Sequence, residues 1–366
     1  MQTQDLEEEL KPIEKLEEEE SFNDDFAETP PNDIVAYNEL RSCADLLRMY
    51  ESGQLEIQPD FQRDVVWQKP AQTRFIDSLI KQLPIPSMCI SLDYKTDKRL
   101  VIDGLQRMTS IINFLSKDDW RLSDLDDIDD RIAGKTVETI KEKTKDIYER
   151  VQNLTIPVTV LRCDYSKQSH NDYLFTIFHR LNTGGNKLNN QEIRNCIYNG
   201  SFNTLLKDLA WDKKWVDLMD LKEAGTYRFG NEEIILRFFA FYDRLDQYNG
   251  KLAKFLNDYM YGNKKADDVF LRVKAKLFND TVDIIQQKIF DNKVMPKMSK
   301  ATLEGMLLGV SKNLGTLSKK SEQELKIVYN NYRHLEEFST ENLKEGLSAK
   351  KKKKNRLHSA IKVFTS

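Results

Sequence analysis

Apolar positions recur along the chain at two spacings, and the change from one to the other divides it. Leu40, Leu46 and Leu47 supply an apolar face that predicts a helix over Ala36–Tyr50. A short strand is expected around Leu55–Ile57, then a loop through Pro59-Asp60-Phe61-Gln62-Arg63. Pro70 suits the first position of a helix, where its missing amide is not needed. Phe75, Ile76, Leu79, Ile80 and Leu83 then form one stripe at helical spacing. Leu83-Pro84-Ile85-Pro86 stops it, because proline lacks the donor that a continuing helix requires.

Ser87–Tyr94 and Arg99–Ile102 read as strands joined by a polar turn, and the second runs straight into Asp103-Gly104-Leu105-Gln106-Arg107. A helix follows with Met108, Ile111, Ile112 and Leu115 inward. Residues 116–150 are polar and acid-rich, an excursion with one or two short helices. Asn153–Cys163 alternates and is rich in Val, Ile and Thr, the pattern of a strand. His170–Leu181 reads as a helix, followed by the loop Asn182-Thr183-Gly184-Gly185 and a new helix near Asn189. Up to about residue 200 the expectation is therefore α+β with a small sheet. Beyond it strand signals vanish, and 202–211, 231–245, 251–261, 264–292, 299–313 and 320–337 read as helices of one all-α region.

Composition narrows the class. A chain of 366 residues fits roughly two domains. Charged residues reach 31%, above the usual ~25%, yet 18 Phe, 14 Tyr and 4 Trp provide bulk for a core. The longest apolar stretch, Ile234–Tyr242, contains Arg237 and falls far short of the ~20 residues that span a bilayer. The acidic N-terminus lacks the basic, then apolar, pattern of a secretory signal. Cys43, Cys89, Cys163 and Cys196 are scattered with no C-x-x-C pair, against both a zinc site and a disulfide framework. The expectation is a soluble cytoplasmic protein with reduced thiols.

The net charge of −3 hides an asymmetry. Residues 1–33 hold 13 acids against two lysines, whereas the last 26 hold eight Lys/Arg against two Glu, including Lys350–Lys354. Such blocks read as solvated tails. The expected organisation is a disordered acidic tail over 1–33, an α+β domain over 34–200, a helical domain over 201–345 and a basic tail over 346–366. The basic end could touch a nucleic-acid backbone, and the acidic end could shield a basic face.

Three segments could carry chemistry. At Asp103-Gly104-Leu105-Gln106-Arg107 a strand-to-helix turn aims free amides and the positive end of a helix at what lies in front, which suits a phosphate. Gly104 would allow close approach to the backbone, and Arg107 could grip phosphate oxygens with two prongs. Gln106 could bond a phosphate or orient a water, and Asp103 could hold Mg²⁺ or accept a proton. The plainer alternative makes Asp103 a helix cap and Arg107 a surface cation. The second segment is Phe61-Gln62-Arg63 with Trp67, where Arg63 could face the same cleft or close a salt bridge at the core edge. The third is Phe178-His179-Arg180-Leu181-Asn182-Thr183-Gly184-Gly185 with Leu188 and Glu192. There Asn182 could contact a base or sugar, and Glu192 could instead pair with Asn189 as a capping box. Ala133-Gly134-Lys135-Thr136 mimics the end of a P-loop, but Asp129 stands where the leading glycine is required and an acidic stretch precedes it.

These three segments, in this order, resemble the N-terminal domain of GmrSD-type modification-dependent restriction endonucleases. That family carries a phenylalanine-glutamine-arginine segment with a downstream tryptophan, an aspartate-glycine-glutamine-glutamine-arginine motif, and an asparagine-threonine-x-glycine loop leading to a glutamate. Asp77-Ser78 and Pro84-Ile85-Pro86 also look like the family, and the resemblance spans about 35–200. It implies a ParB/sulfiredoxin-like fold with a nucleotide pocket, and NTP binding and hydrolysis that license DNA cleavage by a separate HNH nuclease domain. Carried across, Asp103, Gln106 and Arg107 would be catalytic, with Mg²⁺ on Asp103. Gln62, Arg63, Gly104, Arg107, Asn182 and Gly185 would bind nucleotide and phosphate.

Two departures shape the expectation. Leu105 stands where the motif has its first glutamine, so binding is expected ahead of hydrolysis. No HNH-like region is seen, since the late histidines are His334 in a helical segment and His358 in the basic tail. The expected function is an NTP-binding regulatory module of an anti-phage restriction system, partnered by DNA and a separate nuclease. The alternative is a DNA-binding protein or ParB-like nuclease whose cleft holds a nucleic-acid phosphate.

Overall fold

The structure, a computed structural model, describes residues 11–13, 15–17, 29–57, 67–181, 188–221, 230–344, 347 and 349–365. It divides into two compact units, Ala27–Leu188 and a second built from Met1–Phe26 with Asn189–Ser366.

The first unit is α+β. Its elements are β1 (Val35–Ser42), α1 (Cys43–Glu51), β2 (Leu55–Glu56), α2 (Lys69–Ile80), β3 (Met88–Asp93), β4 (Lys98–Asp103), α3 (Leu105–Ser116), α4 (Val137–Lys143), α5 (Lys145–Asn153), β5 (Thr155–Cys163) and α6 (Gln168–Leu181). The strands form one mixed sheet in the order β1-β5-β3-β4-β2. The pairs β1–β5 and β3–β4 are antiparallel, while β3–β5 and β2–β4 are parallel. All six residues of β3 are buried, as befits a strand packed on both faces. The core joins Ile90 and Val158 of the sheet to Leu46, Ile76, Leu79, Ile111, Phe114 and Val151 of the helices.

One expectation fails at the start. The segment Ala36–Tyr50 is not a single helix. Residues 35–42 are an edge strand paired with β5 from Val35↔Arg162 to Ser42↔Thr155, and Leu40 is 69% exposed. The helix begins only after Ser42, whose hydroxyl accepts the Asp45 amide. An edge strand with largely exposed residues carries no burial alternation, so nothing local distinguishes it from a helix.

Just ahead of that strand, Asp33 accepts from Lys167 and from His170 Nε2 at 2.9 Å. His170 Nδ1 accepts the Asp164 amide at 2.9 Å, so the Nε2 proton points at Asp33. The Lys167 ammonium, then His170, hold the Asp33 carboxyl down at about 2. A carboxylate whose folded value lies below its unfolded one stabilises the fold above the unfolded value of 3.8, and the benefit is lost as pH falls through about 2. Asp33→Asn is therefore expected to flatten the decline of Tm between pH 4 and pH 2, as read by circular dichroism melts. An unchanged acid limb would show that the pairing contributes nothing.

The second unit is helical: α7 (Asn190–Ile197), α8 (Ser201–Ala210), α9 (Lys213–Met219), α10 (Gly230–Arg244), α11 (Leu252–Asn263), α12 (Asp268–Asp283), α13 (Lys300–Lys312), α14 (Leu314–Leu317), α15 (Glu322–Arg333), α16 (Thr340–Lys344) and α17 (Lys350–Thr365). The single helix expected over 264–292 is α12 running into a π-helical segment, Ile284–Ile289. The core holds an ion network beside its aromatic rings. Arg194 Nη1 donates to Glu233 Oε2 at 3.1 Å and Arg237 Nη2 to Glu233 Oε1 at 2.6 Å. Lys353 Nζ lies 3.2 Å from Glu304 Oε1.

Within both charged ends, expected as solvated tails, the structure packs part of the chain, while residues 29–33 are exposed or only partly buried. Residues 350–365 form α17, burying Leu357, Ala360 and Phe364, with Lys353 and Arg356 also enclosed. A Cβ on Gly309 would lie 2.4 Å from Phe364 and 2.9 Å from the Ala360 carbonyl, so α13 and α17 touch backbone to backbone. The lysine run conceals an apolar face recurring every three to four residues. At the other end, residues 11–13 and 15–17 are helical, and Ile13 and Glu17 are buried.

Candidate functional site

β4 ends at Asp103, and the chain turns into α3 through Gly104 at φ +99°. That left-handed conformation is open to glycine and strained for other residues. Space imposes the same choice: a Cβ at Gly104 would lie 2.8 Å from Met88 Cγ and 3.2 Å from Arg107 Nη2. With glycine as the cap, α3 begins with no side-chain cap bond. The first amides of a helix have no intrahelical acceptor, so this end presents donors and the positive pole of the dipole.

Arg107, one turn on, folds back over the junction. Its Nη2 donates to Asp103 Oδ2 at 2.9 Å and to the Ser87 carbonyl at 3.3 Å, and Nη1 donates to the Pro86 carbonyl. Its side chain is 11% exposed, against 41% for Asp103. Burial pulls the Arg107 guanidinium below its ordinary value, and Asp103 opposes the shift. Arginine stays charged nonetheless. Arg107 thus clamps the Pro86–Ser87 turn to the strand end and orients the Asp103 carboxylate. The carbonyls of Pro86 and Ser87, and the Met88 side chain, are parts of this junction that sequence reasoning missed, although the Pro84-Ile85-Pro86 turn was in view.

Gln106 brings a second motif to the first. Its Oε1 accepts the Trp67 amide at 3.3 Å. Trp67 is held in turn by Gln72, whose Nε2 donates to the Trp67 carbonyl at 3.0 Å, and Asn113 Nδ2 donates to Gln72 Oε1 at 3.2 Å. The Trp67 ring packs on Phe75, centroids 5.7 Å apart. Trp67 is therefore anchored beside the α3 N-terminus. Gln62 and Arg63 lie outside the described residues. So do Asn182 and Gly185.

Other candidates resolve into structure. Asn189 and Glu192 form a reciprocal capping box, 2.8 Å and 2.5 Å, at the start of α7. Asp77 accepts the Asp129 amide at 2.9 Å and Lys81 at 2.6 Å, tethering the 116–150 excursion to α2. In the P-loop mimic, Gly134 makes a turn at φ +63° and Thr136 caps α4. Burial pushes the Cys43, Cys89 and Cys163 thiols up to about 12, keeping them protonated and unreactive.

A metal at this junction would have to be held largely by its ligand. Among the described residues no three His, Cys, Asp or Glu side chains cluster as a metal site. Asp103 has one oxygen on Arg107 and is partly exposed. A single carboxylate fits Mg²⁺ delivered with nucleotide phosphates, because Mg²⁺ commonly takes only one or two protein carboxylates alongside phosphate oxygens.

Residues 43–199 match the family described as GmrSD restriction endonuclease, N-terminal domain. The match takes in α1 through α7, the Asp103–Arg107 junction and Trp67. No curated protein and no solved structure gives a significant match. Among the described residues no helix is long and apolar enough to cross a membrane.

Proposed function

We propose, from the premise that residues 43–199 belong to the GmrSD restriction endonuclease N-terminal domain family, that this chain is the NTP-binding regulatory component of a restriction system. One observation carries the reading: a left-handed glycine cap that bares the α3 N-terminus beside the Asp103–Arg107 pair, with Trp67 tied to the same turn through Gln106. The first-turn amides of α3 would take phosphate oxygens. Asp103 would hold the Mg²⁺ that neutralises phosphate charge, and Gln106 would orient the attacking water. Arg107 would act through its grip on Asp103 and the Pro86–Ser87 turn, turning an arm to phosphate as ligand enters. Binding stands ahead of hydrolysis, because Leu105 packs partly against the core and offers turnover no polar group. A partner supplies the nuclease in this proposal, and DNA is the target of the pair. The ParB/sulfiredoxin-like assignment of the sheet belongs to the same proposal.

The test is a thermal-shift screen with ATP, GTP, CTP and UTP, each with and without Mg²⁺. Ligand at 100 times its Kd should stabilise the fold by about 2.7 kcal/mol. Arg107→Ala is expected to weaken that binding by about 1.5–3 kcal/mol through loss of a charged contact and of Asp103 orientation. If no nucleotide shifts the melt while duplex DNA binds with a steep salt slope, the cleft serves a nucleic-acid phosphate and the proposal fails.

A further inference from the structure

The N-terminal segment sits in the helical unit as a ligand would. Ile13 is buried among Ala301, Leu343 and Leu347, and Leu16 packs against the same cluster. One turn on, the Glu17 carboxylate caps a helix from outside it. Its Oε1 accepts the Ala301 amide at 2.9 Å and its Oε2 the Lys300 amide at 3.2 Å, at the start of α13. Glu17 is 5% exposed. Burial pushes its carboxyl up, while the Ala301 amide and then Arg237 pull it back.

The receiving surface is also held by bonds that the segment does not supply. Ser299 caps α13 by accepting the Thr302 amide at 3.1 Å, and Tyr332 donates to the Thr302 carbonyl. Glu304, one turn further, is paired with Lys353. The surface also calls for an anion. Arg237 has a side chain 6% exposed and lies within reach of the Glu17 charge, yet its Nε has no hydrogen-bond acceptor among the described residues. Were Glu17 to leave, the buried cations Arg237 and Lys353 would keep Glu233 and Glu304 but lose one anion. Two backbone amides would also lose their acceptor, a state that buried polar groups avoid.

The occupant is slight by comparison. It offers two apolar side chains and one carboxylate on two short helical turns, too short to hold a helix unaided. The chain beyond it is dense in Glu and Asp. We propose that residues 11–17 are a displaceable internal ligand, and that the groove beneath them docks an acidic amphipathic helix of a partner protein. Such a helix would present two apolar residues three apart, followed directly by a glutamate, the pattern of Ile13, Leu16 and Glu17. This inference stands independently of nucleotide binding.

The test uses the full chain and a fluorescein-labelled synthetic peptide of residues 1–20 as the probe. Ile13→Asp with Leu16→Asp should release the segment, and the released protein should bind the peptide at least tenfold more tightly than wild type, whose own segment competes. A peptide carrying Glu17→Gln should bind the released protein roughly tenfold more weakly, since charge-assisted bonds to the Lys300 and Ala301 amides are lost. Equal affinity of the two proteins, or of the two peptides, overturns the proposal. If the double variant does not fold, hydrogen exchange in wild type decides. The Lys300 and Ala301 amides should exchange at least tenfold faster than those of Leu307 and Leu308 in the same helix. Exchange at the rate of the helix interior would mean that the segment leaves only on global unfolding, and would overturn the proposal equally.

Discussion

Glu233→Ala is expected to lower stability by about 3–5 kcal/mol, a large share of the ~5–15 kcal/mol that holds a typical domain together. Glu233 accepts from Arg194 and from Arg237, whose side chains are 1% and 6% exposed. These two guanidiniums hold the carboxyl well below the usual carboxylate range against the opposing effect of burial. Removing the carboxylate leaves two enclosed cations without their shared anion, and neither can shed its proton. Asn257 and Gln191 also accept from Arg194, at 2.9 Å and 3.2 Å, but neither carries charge. Glu233→Gln keeps the shape and one acceptor, so its loss should be visibly smaller. Urea unfolding of the three proteins provides the comparison. If Ala and Gln cost the same, charge rather than hydrogen-bond geometry holds this core, because Gln keeps an acceptor that Ala lacks.

Gly104→Ala is expected to cost about 2–5 kcal/mol in stability. A left-handed conformation contributes about 1–2 kcal/mol of strain for a residue with a Cβ. The contact of 2.8 Å with Met88 Cγ adds overpacking of about 1–3 kcal/mol. The parts are separable. Met88→Ala in the Gly104→Ala background should recover the overpacking and leave the backbone strain, a coupling that chemical denaturation of the double-mutant cycle measures directly. Additive losses would mean that Met88 simply moves aside. The same substitution is also a site mutation, because it inserts a methyl group where α3 meets its ligand in the proposed function.

Legibility differed sharply between parts of the chain. The Asp103–Arg107 junction was visible because a strand, a glycine and a helix follow each other without interruption, and β4, Gly104 and α3 form as that order requires. Its wiring was not visible. The Arg107 partners lie on the Pro86–Ser87 turn, some twenty residues earlier, and the Gln106 partner is the Trp67 amide, 39 residues earlier. Distances of that kind are set when β3 and β4 pair and α2 packs on α3. Either plain role could have suited Arg107 from its spacing, and only the folded chain shows it clamping the turn beside its own carboxylate. The Glu192 capping box, by contrast, is made between residues three apart and was readable.

Periodicity alone separated a strand-containing first part from an all-helical second part, since spacings of two and of three to four residues are written in neighbouring side chains. It placed most helices and four of the strands for the same reason. Edge strand β1, which has every position at least partly exposed, took its identity from the ladder to β5, more than a hundred residues away. Net charge misled at both ends for a related cause. A lysine run and an acidic stretch look solvated until a partner surface appears. The Glu304 carboxylate encloses Lys353, and the α13 N-terminus encloses Glu17. Local order follows from local sequence, whereas burying a charge depends on a counter-charge that only tertiary packing brings near.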